Sequence, residues 1–132
     1  MKGLDTNVLV RHLVQDDPKQ SVIASRYIDQ MCSIESPCLI GHITLCELSW
    51  VLESCYKQDR LAIASIIEQL LQVNELKILG ADSVWLALSD YKKSNADFPD
   101  HLLARVNQES GCDATITFDR KAAKHSCFEL LA

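Results

Sequence analysis

No apolar run in this chain approaches the ~20 residues needed to span a bilayer, so a membrane-embedded protein is not expected. The chain reaches Asp5 after a single leucine, without the apolar stretch of a secretory leader, and the expectation is a soluble cytoplasmic protein. Tracts rich in Pro, Gly or Ser are missing, and only 23% of the residues are charged, which argues against disorder or a long linker. There is no excess of positive charge: the formal net charge is -5, so the chain does not coat nucleic acid through a general basic field. The six cysteines form no Cys-x-x-Cys pair and have no structural-zinc spacing. A disulfide framework is the minor alternative for an even number of cysteines; buried, reduced thiols are the expectation.

What is present is a good supply of core. With 48% hydrophobic residues in 132, the chain can fill one substantial core, and a single domain over residues 1–132 is expected. The first residues lead as a short strand into Asp5-Thr6-Asn7, after which Val8, Leu9, His12 and Leu13 share a helical stripe. Asp16-Asp17-Pro18 ends that helix and starts a second, with Asp as cap and Pro in the first turn. Residues 38–43 read as a buried strand, and a helix follows in which Thr44 caps and Glu47 closes a capping box. Asp59 opens another helix. Residues 76–79 form a strand, Asp82 caps the next helix, and 94–99 is a loop before a helix whose first turn holds Asp100. Residues 114–117 form a strand that ends near Asp119, with a weak last strand at 127–130.

Strands alternating with helices, without tight hairpins, predict an α/β fold with a parallel sheet flanked by helices in three layers. Such sheets carry their working site at the carboxyl ends of the strands. Asp5 and Asp119 each follow an apolar run directly, and Glu47 and Asp100 start helices nearby. Like charges about 4 Å apart cost roughly 4 kcal/mol per pair at an effective dielectric near 20, so a converged quartet needs cations or protons. Carboxylate oxygens suit Mg²⁺ or Mn²⁺, which keep several waters, and water is what hydrolysis consumes.

Four segments carry the specific signal: Leu4-Asp5-Thr6-Asn7-Val8-Leu9-Val10-Arg11, Thr44-Leu45-Cys46-Glu47-Leu48, Ala96-Asp97-Phe98-Pro99-Asp100-His101-Leu102-Leu103-Ala104 and Thr117-Phe118-Asp119-Arg120-Lys121. In this order they resemble the motifs of the PIN-domain ribonucleases, nearest to the VapC family of bacterial toxins, across nearly the whole chain. The resemblance implies a PIN-like fold and a metal-dependent endoribonuclease acting as a toxin, with transfer RNA as the expected substrate and a homodimer and a cognate VapB-like antitoxin as partners. It makes Asp5, Glu47 and Asp100 the central acids holding Mg²⁺ or Mn²⁺, with Asp119 completing the set and Asp97 accessory. Thr6 and Asn7 stand where the family orients the first aspartate. His101, where a small residue is common, is expected to touch substrate or antitoxin, and Gly3 replaces a larger apolar residue.

Each acid also has a structural reading. Asp5 and Asp119 can cap helices, Asp100 suits a helix macrodipole, and Glu47 pairs with Thr44. Arg11 and Arg120 are the first candidates for phosphate contacts, ahead of Arg105, Lys121 and Lys124. Trp50, Trp85 and Tyr91 fall on apolar helix faces. Two rival functions remain: a non-catalytic PIN module that binds RNA or protein, whose usual mark is loss of an acid, and a phosphatase with Asp5 as nucleophile, which wants an acid where Asn7 stands.

Overall fold

The computed structural model describes residues 1–132. Two helices open the chain, α1 (Thr6–Val14) and α2 (Pro18–Met31), followed by strand β1 (Cys38–Ile40) and helices α3 (His42–Ser54) and α4 (Arg60–Gln72). Strand β2 (Leu76–Ile78), helices α5 (Ala81–Lys92) and α6 (Phe98–Glu109), strand β3 (Thr115–Thr117), a 3₁₀ turn (Ala122–Lys124) and strand β4 (Phe128–Leu130) complete it. This is the mixed α/β arrangement expected from the pattern of elements, with every strand pair parallel.

The sheet is more broken than the apolar runs suggest. β1 pairs with β2 and β3 with β4, in two separate two-stranded ladders. The predicted first strand is reduced to one parallel bridge, Gly3 to Leu39, held by the Leu39 N–H on the Lys2 carbonyl at 2.8 Å and the Leu4 N–H on the Leu39 carbonyl at 2.9 Å. Glycine has no side chain to pack in a strand, and Asp5 turns the backbone into α1 at once.

Side-chain caps set three of the six α-helix starts. The Asp17 carboxylate accepts from the N–H groups of Lys19 and Gln20 with Pro18 in the first turn, and Asp59 accepts from Ala62. Two expected caps differ. α5 begins after Gly80, whose φ of 57° is the left-handed region, so Asp82 lies in the first turn instead of capping it. α3 begins at His42 after Gly41, so Thr44 and Glu47 are inside the helix and form no capping box.

A core of 22 buried residues is built around Leu9, Ile40, Leu45, Leu48, Leu52, Ile67, Leu88, Phe98 and Leu102. A satellite cluster, Ala96, Ala104, Ala122, Cys127 and Phe128, fixes the C-terminal strands against α6. α6 thus joins both cores. Tyr91 is buried edge-on to Phe98, whereas Trp50 and Trp85 are partly exposed. No helix is long and apolar enough to cross a membrane.

The cysteines depart from expectation. Cys32, which ends α2, and Cys38, which opens β1, form a disulfide across Cα atoms 5.4 Å apart. The turn between them carries the chain straight back from the helix to the strand, which brings the pair into bonding range. The other four are free, with Cys127 buried, Cys46 half-buried, and Cys55 and Cys112 exposed.

Candidate active site

Asp5 is the N-cap of α1. Its Oδ1 accepts from the Thr6 N–H at 2.8 Å, and its backbone carbonyl receives the first helical hydrogen bonds. Thr6 is buried, and its hydroxyl donates across to Oε1 of Glu47 at 3.1 Å. Two motifs separated by 41 positions are thereby tied together at the side-chain level. The threonine steadies Asp5 through its backbone and Glu47 through its hydroxyl, while Asn7 is exposed beside Asp5.

The second half of the site comes from α6 and the β3 exit. Asp97 is the N-cap of α6 and Asp100 lies in its first turn. The Asp100 carboxyl is pushed above its ordinary value, first by burial and then by the negative charges of Asp119 and Asp97. Asp119 uses Oδ1 to accept from the N–H groups of Lys121 at 2.8 Å and Ala122 at 3.2 Å, which folds the turn after β3. The Cys46 thiol, on α3 next to Glu47, is raised by burial and then by the charges of Asp100 and Glu47. Asp97 and Asp119 share the wall of one hollow of about 480 Å³ with Asn95, Phe118, Arg120 and Lys121.

No three His, Cys, Asp or Glu side chains stand together in a metal-holding group. The donor chemistry nonetheless suits a hard divalent cation: the candidate ligands are all carboxylates, and the like charges that raise Asp100 are what a cation offsets. The largest hollow, about 730 Å³ around Cys32 and Leu70, contains none of these acids.

Three candidates are committed elsewhere. His101 is fully buried: three residues after the buried Phe98 on the inner face of α6, it turns away from solvent and cannot meet substrate or antitoxin directly. Its Nε2 lies 2.5 Å from Ser94 Oγ and its ring stands edge-on to His125. Arg105 grips Asp90 through two hydrogen bonds of 2.6 and 2.9 Å, which removes it from the phosphate-contact candidates. Arg11 faces Asp16 at 3.2 Å and Gln20 at 2.8 Å, while Arg120 is exposed beside Asp119 and in no ion pair.

A buried polar network supports this end of the molecule without any motif to announce it. Asp90 receives Arg105 and, at 2.9 Å, Nε2 of His125. Burial alone would raise the Asp90 carboxyl, but the hydrogen bonds from Arg105 and the charges of His125 and Arg105 outweigh it and hold the carboxyl low. A depressed carboxyl stabilises the fold above its unfolded-state value, near 3.8, and that contribution is lost as pH falls through the folded value. Asp90→Ala should therefore cost about 3 kcal/mol near neutrality by leaving Arg105 unpaired, and the gap to the parent should narrow below about pH 4. Urea unfolding at neutral and acid pH tests this; an unchanged gap would count against the pair.

Arg60 is the other unannounced residue. Its guanidinium donates to the carbonyls of Tyr91, Ser94 and Ala96, each at 2.8 Å, and lies 4.0 Å over the Tyr91 ring. It fastens the loop that delivers Asp97 and Asp100. Nothing in the sequence distinguishes it from a solvated first-turn arginine.

A family model described as PIN domain matches residues 3–126 of the chain. No curated protein and no solved structure gives a significant match.

Proposed function

The chain belongs to the PIN-domain family, whose members are generally nucleases, and on that premise we propose that it is a metal-dependent endoribonuclease of the VapC toxin type. The reading is supported by the Thr6 to Glu47 hydrogen bond, which ties the first two motifs, and by the raised Asp100, whose neighbouring charges are Asp119 and Asp97 of the last two. Retention of all four acids, Asp5, Glu47, Asp100 and Asp119, weighs against a binding-only module.

In this reading Asp5, Glu47, Asp100 and Asp119 would hold Mg²⁺ or Mn²⁺, with Asp97 adding negative charge beside them. A bound divalent cation supplies Lewis-acid stabilisation of charge on the phosphoryl oxygen and an acidified water. The protein's part is positioning. Thr6 fixes the Glu47 carboxylate, the Lys121 and Ala122 amides fix Asp119, and Arg120 offers a positive charge to the scissile phosphate. Hydrolysis forms a new P–O bond from water and breaks the ester P–O bond, and the leaving oxygen takes up a proton.

The same resemblance supports transfer RNA as substrate, one PIN unit over residues 1–132, a cytoplasmic setting, a homodimer and a VapB-like antitoxin. Ile43 and Trp50, seven residues apart on one face of α3 and both exposed, offer apolar area for a partner.

Purified protein, folded and free of antitoxin, is expected to cut total cellular RNA into discrete fragments with Mn²⁺ or Mg²⁺. Excess EDTA should reduce cleavage to background, and added Mn²⁺ should restore it. Intact RNA in every metal-containing lane would favour the binding-only module.

A further inference from the structure

The hollow at Asp97 and Asp119 borders a second one of about 410 Å³, and Asn95 and Lys121 belong to both walls. The second has no hydrophobic lining residue and presents Lys93, Lys121 and Lys124. None of these lysines is in an ion pair; the molecule's ion pairs are Arg11–Asp16, Lys92–Glu68, Arg105–Asp90 and His125–Asp90. The one acid on that wall, Asp90, is already paired with Arg105 and lies 2.9 Å from His125 Nε2. In a chain of net charge -5, an uncompensated group of three lysines around a polar hollow is a local reversal of sign. On the near side, Phe118 lines the acid hollow and is 74% exposed, although a ring of that size is normally covered.

We propose that these two hollows form a path for single-stranded RNA, with a base stacked on Phe118 beside the acids and the adjoining phosphates seated on Lys121, Lys93 and Lys124. Stacking on an exposed aromatic ring combined with lysines that follow the backbone is how single strands are held without sequence readout. A double helix keeps its bases stacked on one another and offers none to Phe118, so the path selects an unpaired segment. The path rests on the nuclease reading for the direction in which the strand meets the acids, but its binding chemistry is separable from cleavage.

The test is fluorescence anisotropy of a short labelled oligouridine with the intact protein in EDTA, over a range of salt concentrations. Each phosphate contact on a single strand adds about 0.7 to the slope of log affinity against log salt, so the triple variant Lys93→Gln, Lys121→Gln, Lys124→Gln should lose about 2. The corresponding triple Lys→Arg protein should keep the slope of the parent. Phe118→Ala should weaken binding about tenfold and leave the slope unchanged, because stacking releases no counterions. If the triple Gln variant, melting as the parent does, binds with the parent's affinity and slope, the path is wrong; parental affinity in Phe118→Ala overturns it equally. RNA cleavage by a protein whose slope ignores the lysines would remove the path and leave the nuclease. A slope that falls in a protein unable to cleave RNA would do the reverse.

Discussion

Replacing Asp100 with Asn is expected to lower RNA cleavage about a thousandfold, the loss of several kcal/mol of charge stabilisation, while raising the melting temperature in chelator. The two effects have one cause. Asp100 is half-buried, and its carboxyl is raised by that burial and by the charges of Asp119 and Asp97, so its ionised form is held at a cost to the fold. The amide keeps the shape and removes the repulsion. A gain of up to about 1 kcal/mol, or roughly 4 °C for a domain of this size, follows where a functional charge is held against stability. Saturating Mn²⁺ should invert the order: a ligand that binds only the folded state stabilises it, and the parent has the complete set of carboxylates to gain from it. A melting series of both proteins in EDTA and in Mn²⁺, beside the cleavage assay, reads all three quantities. Cleavage at the parental rate by the Asn variant would end the assignment of Asp100, whatever the melting data show.

The legible parts of this molecule were those with short-range causes. Asp17-Pro18 and Asp59 cap helices through their immediate neighbours, and the structure agrees with the sequence there. The acids of the four segments were legible through family resemblance, since each one alone is also a good cap, and Asp5 and Asp119 do accept backbone N–H groups as caps do. A cap and a cation ligand use the same oxygens, so local chemistry cannot separate them. Glu47 is not the capping-box partner its spacing suggests, because its helix starts after Gly41, three residues before Thr44. His101 was misjudged because proximity to Asp100 in sequence suggests a shared face, whereas adjacent helical residues point about 100° apart. Long-range pairs left no trace at all. Asp90 and Arg105 lie fifteen positions apart on two helices, and only the packing of α5 on α6 makes them partners.

Arg60 is the sharpest case, and Arg60→Ala is expected to destabilise the protein by about 3 kcal/mol. Charge-assisted hydrogen bonds contribute roughly 1.5–3 kcal/mol, and a guanidinium over an aromatic ring adds about 1. The bonds run from α4 to the carbonyls of Tyr91, Ser94 and Ala96, where α5 ends and the chain turns toward Asp97. Helix-end carbonyls have no partner within the helix, so removing the guanidinium leaves acceptors to be satisfied by water entering beside Tyr91 and Ala96, both buried. The loop should then open ahead of global unfolding, and Asp97 and Asp100, which it delivers, should lose their fixed positions. Arg60→Lys should recover little, since a single ammonium on a flexible stem does not reproduce a planar donor that also stacks on Tyr91. Urea unfolding measures the stability, and amide hydrogen exchange measures the loop: protection at Ala96, whose N–H donates to Ser94 Oγ, should fall in Arg60→Ala more than protection in α2. Equal loss of protection in both places would make Arg60 an ordinary stability residue. Loss concentrated at Ala96, with cleavage falling alongside it, would identify an arginine outside every motif as the residue that positions the third acid.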